Sequence, residues 1–317
     1  LGCDARRPVS ESGAVRSGLG KIHVSVLDLN KFHPNPSKPT FVAPPGSVDA
    51  HCHIFGPGDE FPYAPQRKYT PGDAGKADLY RLRDFLGLSR NVIVQASCHG
   101  TDNTATIDGI AHANGKARGV AVVDLNITLP ELQAMDAAGI RGVRFAFLKR
   151  LVDPTPPEKR QRVIEMCKEL GWHIVVYFES QDLEELQPFF ESLPTTVVID
   201  HMGRPDAKLG TDAPQWKRFL GMLDTHPNMW VKVTGPERIS DIGPPYDDVV
   251  PFGKALVERY PDRVIWGTDW PHPNMETHMP DDGKLVDFIP RVAVTPELQQ
   301  KLLVDNPMRL YWPEEVR

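Results

Sequence analysis

The chain has 317 residues, 40% of them hydrophobic and 25% charged, with a formal charge of -6. This balance suits a globular fold and offers no broad basic field, so a nucleic-acid-binding protein is not expected. No run of 18 apolar residues occurs, and no membrane-spanning helix is expected.

Residues 1–46 lack the apolar core of a signal peptide, and the first methionine is Met135. They read as a flexible N-terminal arm and a Pro-rich lead-in, followed by one catalytic domain over 47–317. From Ser47 onward, short β-branched or aromatic runs alternate with amphipathic stretches. The expected strands are 47–53, 91–96, 118–124, 142–147, 173–178, 196–200, 229–234 and 263–269. The expected helices are 76–86, 101–114, 130–138, 157–170, 182–192, 212–225 and 247–260, with a tail helix at 296–304. Near-continuous apolar strands, each followed by a helix, imply a parallel sheet covered on its outer side. Eight such units predict a single closed (β/α)8 barrel of the TIM type. The four cysteines (Cys3, Cys52, Cys98, Cys167) are scattered without a CxxC. That pattern fits a reducing compartment, and a cytoplasmic location is expected.

Barrel chemistry sits at the C-terminal ends of strands. The first strand ends in His51 and His53, which share a face at i and i+2. The sixth ends in Asp200 and His201, the eighth in "GTDWPHPN" with Asp269, His272 and Asn274. Three imidazoles and a carboxylate could bind one divalent metal. They could also act directly, Asp269 as general base on water and the histidines as donors to a developing oxyanion. Some elevation of the Asp269 pKa is expected to help such a base. Each residue alone could equally be a satisfied core group; it is their common position that points to a site. Arg144, Arg150, Arg204 and Arg238 also follow strands, and together they read as a cradle for more than one carboxylate. Tyr69, Ser97, Tyr177 and Asn274 are candidate neutral donors. Asp200 could orient His201 from behind. Cys52 is expected to pack outward, and Trp172, Trp216, Trp230 and Trp266 to be core. His99 and His173 carry no assignment.

The strings "DAHCHIFGP", "FPYAPQRKYTP", "NVIVQASCHGTDN", "RFAFLKRLVD", "IDHMGRPD" and "VIWGTDWPHPNM" resemble the 2-pyrone-4,6-dicarboxylate lactonase family of the amidohydrolase superfamily. The resemblance runs from about residue 35 to the end. It implies hydrolytic, reversible opening of 2-pyrone-4,6-dicarboxylate to 4-oxalomesaconate, a step of protocatechuate 4,5-cleavage in the breakdown of lignin-derived aromatics. It implies Asp269 as the base, with His51, His53 and His201 around the lactone carbonyl. It implies Arg144, Arg150 and Arg238 on the carboxylates, with Tyr69, Ser97, Tyr177, His272 and Asn274 completing the pocket. It also implies no divalent metal; an ion at His51, His53, His201 and Asp269 is the alternative. The expected partner is a small dicarboxylate lactone. Two rival activities stand beside it: a sister lactonase acting on 4-sulfomuconolactone, and a metal-dependent non-oxidative decarboxylase. A non-catalytic binding protein is disfavoured by the complete set of Asp269 and three histidines.

Overall fold

The structure, a computed structural model, describes residues 32–148, 150, 157–275 and 278–316; of the expected arm and lead-in over 1–46, residues 1–31 lie outside them. Eight strands form one sheet: β1 (Val48–Cys52), β2 (Arg90–Val94), β3 (Ala117–Ala121), β4 (Ile140–Ala146), β5 (His173–Tyr177), β6 (Val197–Ile199), β7 (Met229–Lys232) and β8 (Val264–Ile265). All neighbours pair in parallel and in chain order. The ends meet as well: Ala50 N donates to Trp266 O at 2.8 Å, and Asp269 N to His51 O at 2.7 Å. The sheet is thus the expected (β/α)8 barrel, with strand edges satisfied by closure.

Seven helices cover the outside between strands: α1 (Lys76–Leu86), α2 (Thr104–His112), α3 (Leu129–Ala137), α4 (Pro157–Leu170), α5 (Leu183–Glu191), α6 (Pro214–Thr225) and α7 (Val250–Arg259). Their starts carry local signals. Glu131 accepts from both the backbone and the hydroxyl of Thr128, closing a capping box on α3. After β8 the sequence predicts only a loop up to residue 296, yet α8 (Asp282–Val292) forms there, capped by Asp281. Gly283 and Pro290 obscured it. Gly283 is required because the lead-in crosses the helix at that point, where a Cβ would stand 1.9 Å from Ser37 O. The lead-in is pinned to α8 by Asp281, which accepts from Ser37 N, and by Asp287, which accepts from Thr40 N and Phe41 N. The tail runs further than expected, as α9 (Pro296–Gln300), a wide turn over Lys301–Asp305 and α10 (Asn306–Tyr311). No described helix is long and apolar enough to cross a membrane.

Strand alternation divides the barrel interior into two layers. Val48, Ala50, Val92, Val94, Val120, Val175, Val198, Trp230 and Ile265 form an apolar lower layer, closed from below by Tyr311 and Trp312. Two residues further along several of these strands the inward side chain becomes polar: Tyr177 above Val175, Asp200 above Val198, Lys232 above Trp230. A register shift in β1 between Asp49 and Cys52 accompanies the turn of His51 into this upper layer. Cys52 packs outward among the helices, as expected, and all four named tryptophans are buried. His173 is a lower-layer residue, edge-on to Tyr311 and pushed down to about 3 by burial, so its ring is neutral. His99 accepts from Gly56 N and is structural.

Candidate active site

Asp269 is the centre of the upper layer. Its Oδ1 lies 3.1 Å from His53 Nε2, 3.3 Å from His51 Nε2 and 3.9 Å from His201 Nε2. Arg238, from the helical turn Pro236–Ile239 after β7, donates through Nε to Asp269 Oδ2 and through Nη1 to Pro273 O at 2.9 Å. Asp269 is buried and adopts a left-handed backbone, φ +64°, as do His272 and Asn274 on the same loop. Among non-glycine residues these types adopt left-handed geometry most readily. Burial raises the Asp269 carboxyl, but Arg238 and the facing histidines outweigh burial and hold it well below the usual carboxylate range. The expected elevation of this group is therefore not found.

The three histidines are not equivalent. Val94 O, an acceptor, lies 2.7 Å from His53 Nδ1, so that nitrogen carries the proton. Burial pushes His53 down to about 4, with Asp269 acting against it. In the neutral ring Nε2 is then an acceptor, and its 3.1 Å approach to Asp269 is a hydrogen bond only when a proton lies between them. His201 Nδ1 is held by the Thr234 hydroxyl at 2.8 Å, and burial keeps its ring well below the ordinary imidazole range. Gly235 is glycine for this reason: with φ +69°, a Cβ there would meet His201 Nδ1 at 2.7 Å.

Asp200 does not orient His201 as expected. It faces Arg144, whose Nε donates at 2.8 Å, and Lys232, whose Nζ lies 3.1 Å away, with His51 Nδ1 at 3.4 Å. Burial raises its carboxyl, but Lys232 and Arg144 outweigh burial and keep it ionised. Arg144 also stacks over the Tyr177 ring, 4.6 Å from its centroid.

A cleft above this layer is lined by His53, His201 and Asp269 together with Tyr69, Ser97, Arg144, Arg150, Tyr177, Arg238 and Asn274. His51 lies beneath it. His272 does not line it: its ring is enclosed by Glu237 at 3.3 Å and Asp282 at 3.0 Å. Burial alone would lower His272, but Asp282 and Glu237 reverse this and push it up to about 10. Arg204, read as a fourth cradle arginine, instead donates to Glu179 at 2.8 Å and to the Tyr177 phenol at 3.1 Å. The space over Asp269 is about 30 Å³, room for about one water. A cavity of about 680 Å³ adjoins it, sharing Ser97 and Arg144 as walls. The cleft as it stands is too small for a ring-sized ligand, which must therefore move some of its lining side chains.

Comparisons with known proteins match this chain in both sequence and fold. A family model described as Amidohydrolase matches residues 48–312. The chain belongs to the amidohydrolase family. It is 60% identical over 293 residues to a 2-pyrone-4,6-dicarboxylate hydrolase of Comamonas testosteroni, a match covering 90% of this chain and 96% of that one. It is 39% identical over 284 residues to a 4-sulfomuconolactone hydrolase of Hydrogenophaga intermedia, covering 89% and 93%. A crystal structure from Acinetobacter baumannii, described as a probable 2-pyrone-4,6-dicarboxylic acid hydrolase with citric acid bound, superposes with a TM-score of 0.74 at 27% identity, covering 84% and 99%.

Among the described residues of this amidohydrolase, two sets of ligand atoms lie within 4.8 Å of one another: those of His51, His201 and Asp269, and those of Glu237, Asp269 and His272. Each has a basic side chain against it. Lys232 Nζ lies 2.9 Å from His51 Nδ1, and Arg238 donates to Asp269, which belongs to both sets. An ion in either place would meet fixed positive charge at short range. Lys232, Glu237 and Asp282 had no part in the sequence reading. For Lys232 a signal was present: in "MWVKVT" it shares the inward parity of Trp230.

Proposed function

We propose that this chain is a lactonase that opens 2-pyrone-4,6-dicarboxylate with water, reversibly, giving 4-oxalomesaconate. The observation that carries the reading is Asp269 Oδ1 within 3.9 Å of three histidine Nε2 atoms, beneath a cleft lined by three arginines. The named Comamonas relative supports the choice of lactone.

Arg144, Arg150 and Arg238 take the two substrate carboxylates and hold the lactone carbonyl over the histidines. Water attacks that carbonyl, its oxygen bonds to carbon, and the ring C–O bond breaks. Asp269 is a weak base by itself, but the proton it takes goes to Oδ1, where His53 Nε2 faces it with a lone pair. Sharing the proton between these two atoms offsets the low basicity of the carboxylate. His51 and His201 direct Nε2 toward the oxyanion. The leaving group is an enol-type oxygen, which departs readily and is reprotonated to the enol and then the keto product. An acyl group this activated has little need of a Lewis acid, and we infer turnover without a divalent metal. The anion cradle would also accept a sulfonated muconolactone, and the Hydrogenophaga relative makes that the second substrate to try.

The test is loss of the pyrone's ultraviolet absorbance when purified protein is added, with and without prolonged chelator treatment. Equal loss in both is expected. Loss only without chelator would refute metal independence. No loss in either would refute the pyrone, with the sulfonated lactone tried next and released carbon dioxide measured for the decarboxylase alternative.

A further inference from the structure

Lys232 is the unusual residue of the upper layer. It is completely buried in the barrel, where a lysine needs a specific partner. Its Nζ has two polar neighbours, His51 Nδ1 at 2.9 Å and Asp200 Oδ1 at 3.1 Å. We propose that Lys232 is a positioning residue that fixes the tautomer of His51, donating to Nδ1 so that the ring proton sits on Nε2 and points toward the lactone carbonyl.

Hydrogen-bond direction carries the inference. An amino group 3.1 Å from the Asp200 carboxylate keeps its hydrogens to give, so the ring nitrogen it meets must accept. A neutral imidazole that accepts at Nδ1 donates at Nε2. His51 Nε2 is buried and makes no hydrogen bond among the described residues, although Asp269 Oδ1 is 3.3 Å away. A donor held without a partner beside the base is what an oxyanion needs when it forms, because no bond has to be broken to receive it. Without Lys232 the preference would invert. Asp200 Oδ1 lies 3.4 Å from His51 Nδ1 and would draw the proton to that side. Nε2 would then present a lone pair to the carbonyl oxygen. His53 already presents an acceptor, so His51 and His201 are the imidazoles left to donate.

The catalytic consequence rests on the lactonase reading; the tautomer does not. The experiment uses the full chain labelled with ¹⁵N-histidine, without substrate. Long-range proton–nitrogen spectra report which ring nitrogen of each histidine is protonated, and His51→Gln identifies the His51 signals. The expected result is an unprotonated Nδ1 and a protonated Nε2 on His51. In Lys232→Met the two should exchange, and kcat for the pyrone should fall about 100-fold with KM nearly unchanged, as for a donor used only in the transition state. A wild-type His51 protonated at Nδ1 would overturn the proposal by itself, even if the variant failed to fold. So would a folded Lys232→Met protein that kept both tautomer and kcat. Wild-type protein with the expected tautomer but no pyrone hydrolysis would defeat the lactonase reading and leave the positioning of His51 intact.

Discussion

Replacing Asp269 by asparagine separates two roles that the site combines in one carboxylate. The amide is nearly isosteric and can still accept from Arg238 Nε, so the loop keeps its shape. What is lost is the base and one negative charge. Loss of a positioned general base lowers turnover about 10²–10⁴-fold. The binding effect runs the other way. In the free protein Arg238 is paired with Asp269, and an incoming carboxylate must both compete for that guanidinium and approach the Asp269 charge. Two unit charges about 5 Å apart at an effective dielectric of about 20 interact by about 3 kcal/mol. Relief of less than half of that is worth tenfold in affinity, so Asp269→Asn should bind the pyrone dicarboxylate at least about tenfold more tightly.

The cost to the fold should be small. Arg238 keeps Pro273 O, and Glu237 Oε1 lies 4.0 Å from its Nε. Exchange of a charge-assisted bond for a neutral one costs about 1–2 kcal/mol. Ultraviolet absorbance measures turnover, and calorimetric titration of the inactive variant measures affinity. Hydrolysis at the parent rate would refute Asp269 as the base. Weaker binding by the asparagine variant would refute the competition between Asp269 and substrate for Arg238.

Arg144→Met should raise KM about 10–100-fold while kcat changes little. Lys232 still neutralises Asp200 at 3.1 Å, so thermal melts should show a loss of only about 1–2 kcal/mol for the missing hydrogen bond and the stack on Tyr177; an unchanged KM in steady-state kinetics would remove Arg144 from the cradle. The buried triad of Glu237, His272 and Asp282 should make stability depend on pH. The folded pKa of His272, about 10, lies above its ordinary 6.5, so its contribution is complete below pH 6.5 and is lost as pH rises through 10. The ceiling is about 5 kcal/mol. Urea unfolding should show a wide stability gap between wild type and His272→Asn at pH 6 that narrows by pH 10.5; a gap independent of pH would mean His272 is neutral in the folded protein.

The barrel was legible because its signals are local. Eight apolar runs of the right length, punctuated by helices, leave few alternatives to a closed parallel sheet, and strand ends in such a sheet must share one face. His51, His53, Arg144, His201 and Asp269 could be brought together on that rule alone. The helix α8 was hidden by Gly283 and Pro290, and Gly283 is there because the lead-in crosses over it, a contact between residues 246 apart in the chain. With α8 went Asp282, and with Asp282 the reason His272 stands behind the cleft and not in it. The pKa of Asp269 was misjudged for a related cause: Arg238 reads equally well as a substrate ligand or as a partner of the base, and only its side-chain direction decides.

Lys232 is the instructive omission. Lysines mostly lie on the surface, but parity in this strand argues otherwise. Trp230 and Lys232 are two apart on β7, and a strand that buries one toward the axis buries the other. A lysine at an inward position has to be matched by an acceptor at the same height. Asp200, two beyond inward-facing Val198 on the neighbouring β6, is at that height. Applied to charges as strictly as to apolar residues, the alternation rule pairs Lys232 with Asp200, whereas His51 joins them only through the register shift in β1. It could not have oriented the proton on His51, because that depends on whether the donor Lys232 Nζ, at 2.9 Å, or the acceptor Asp200 Oδ1, at 3.4 Å, lies nearer to Nδ1, a difference that no sequence pattern encodes.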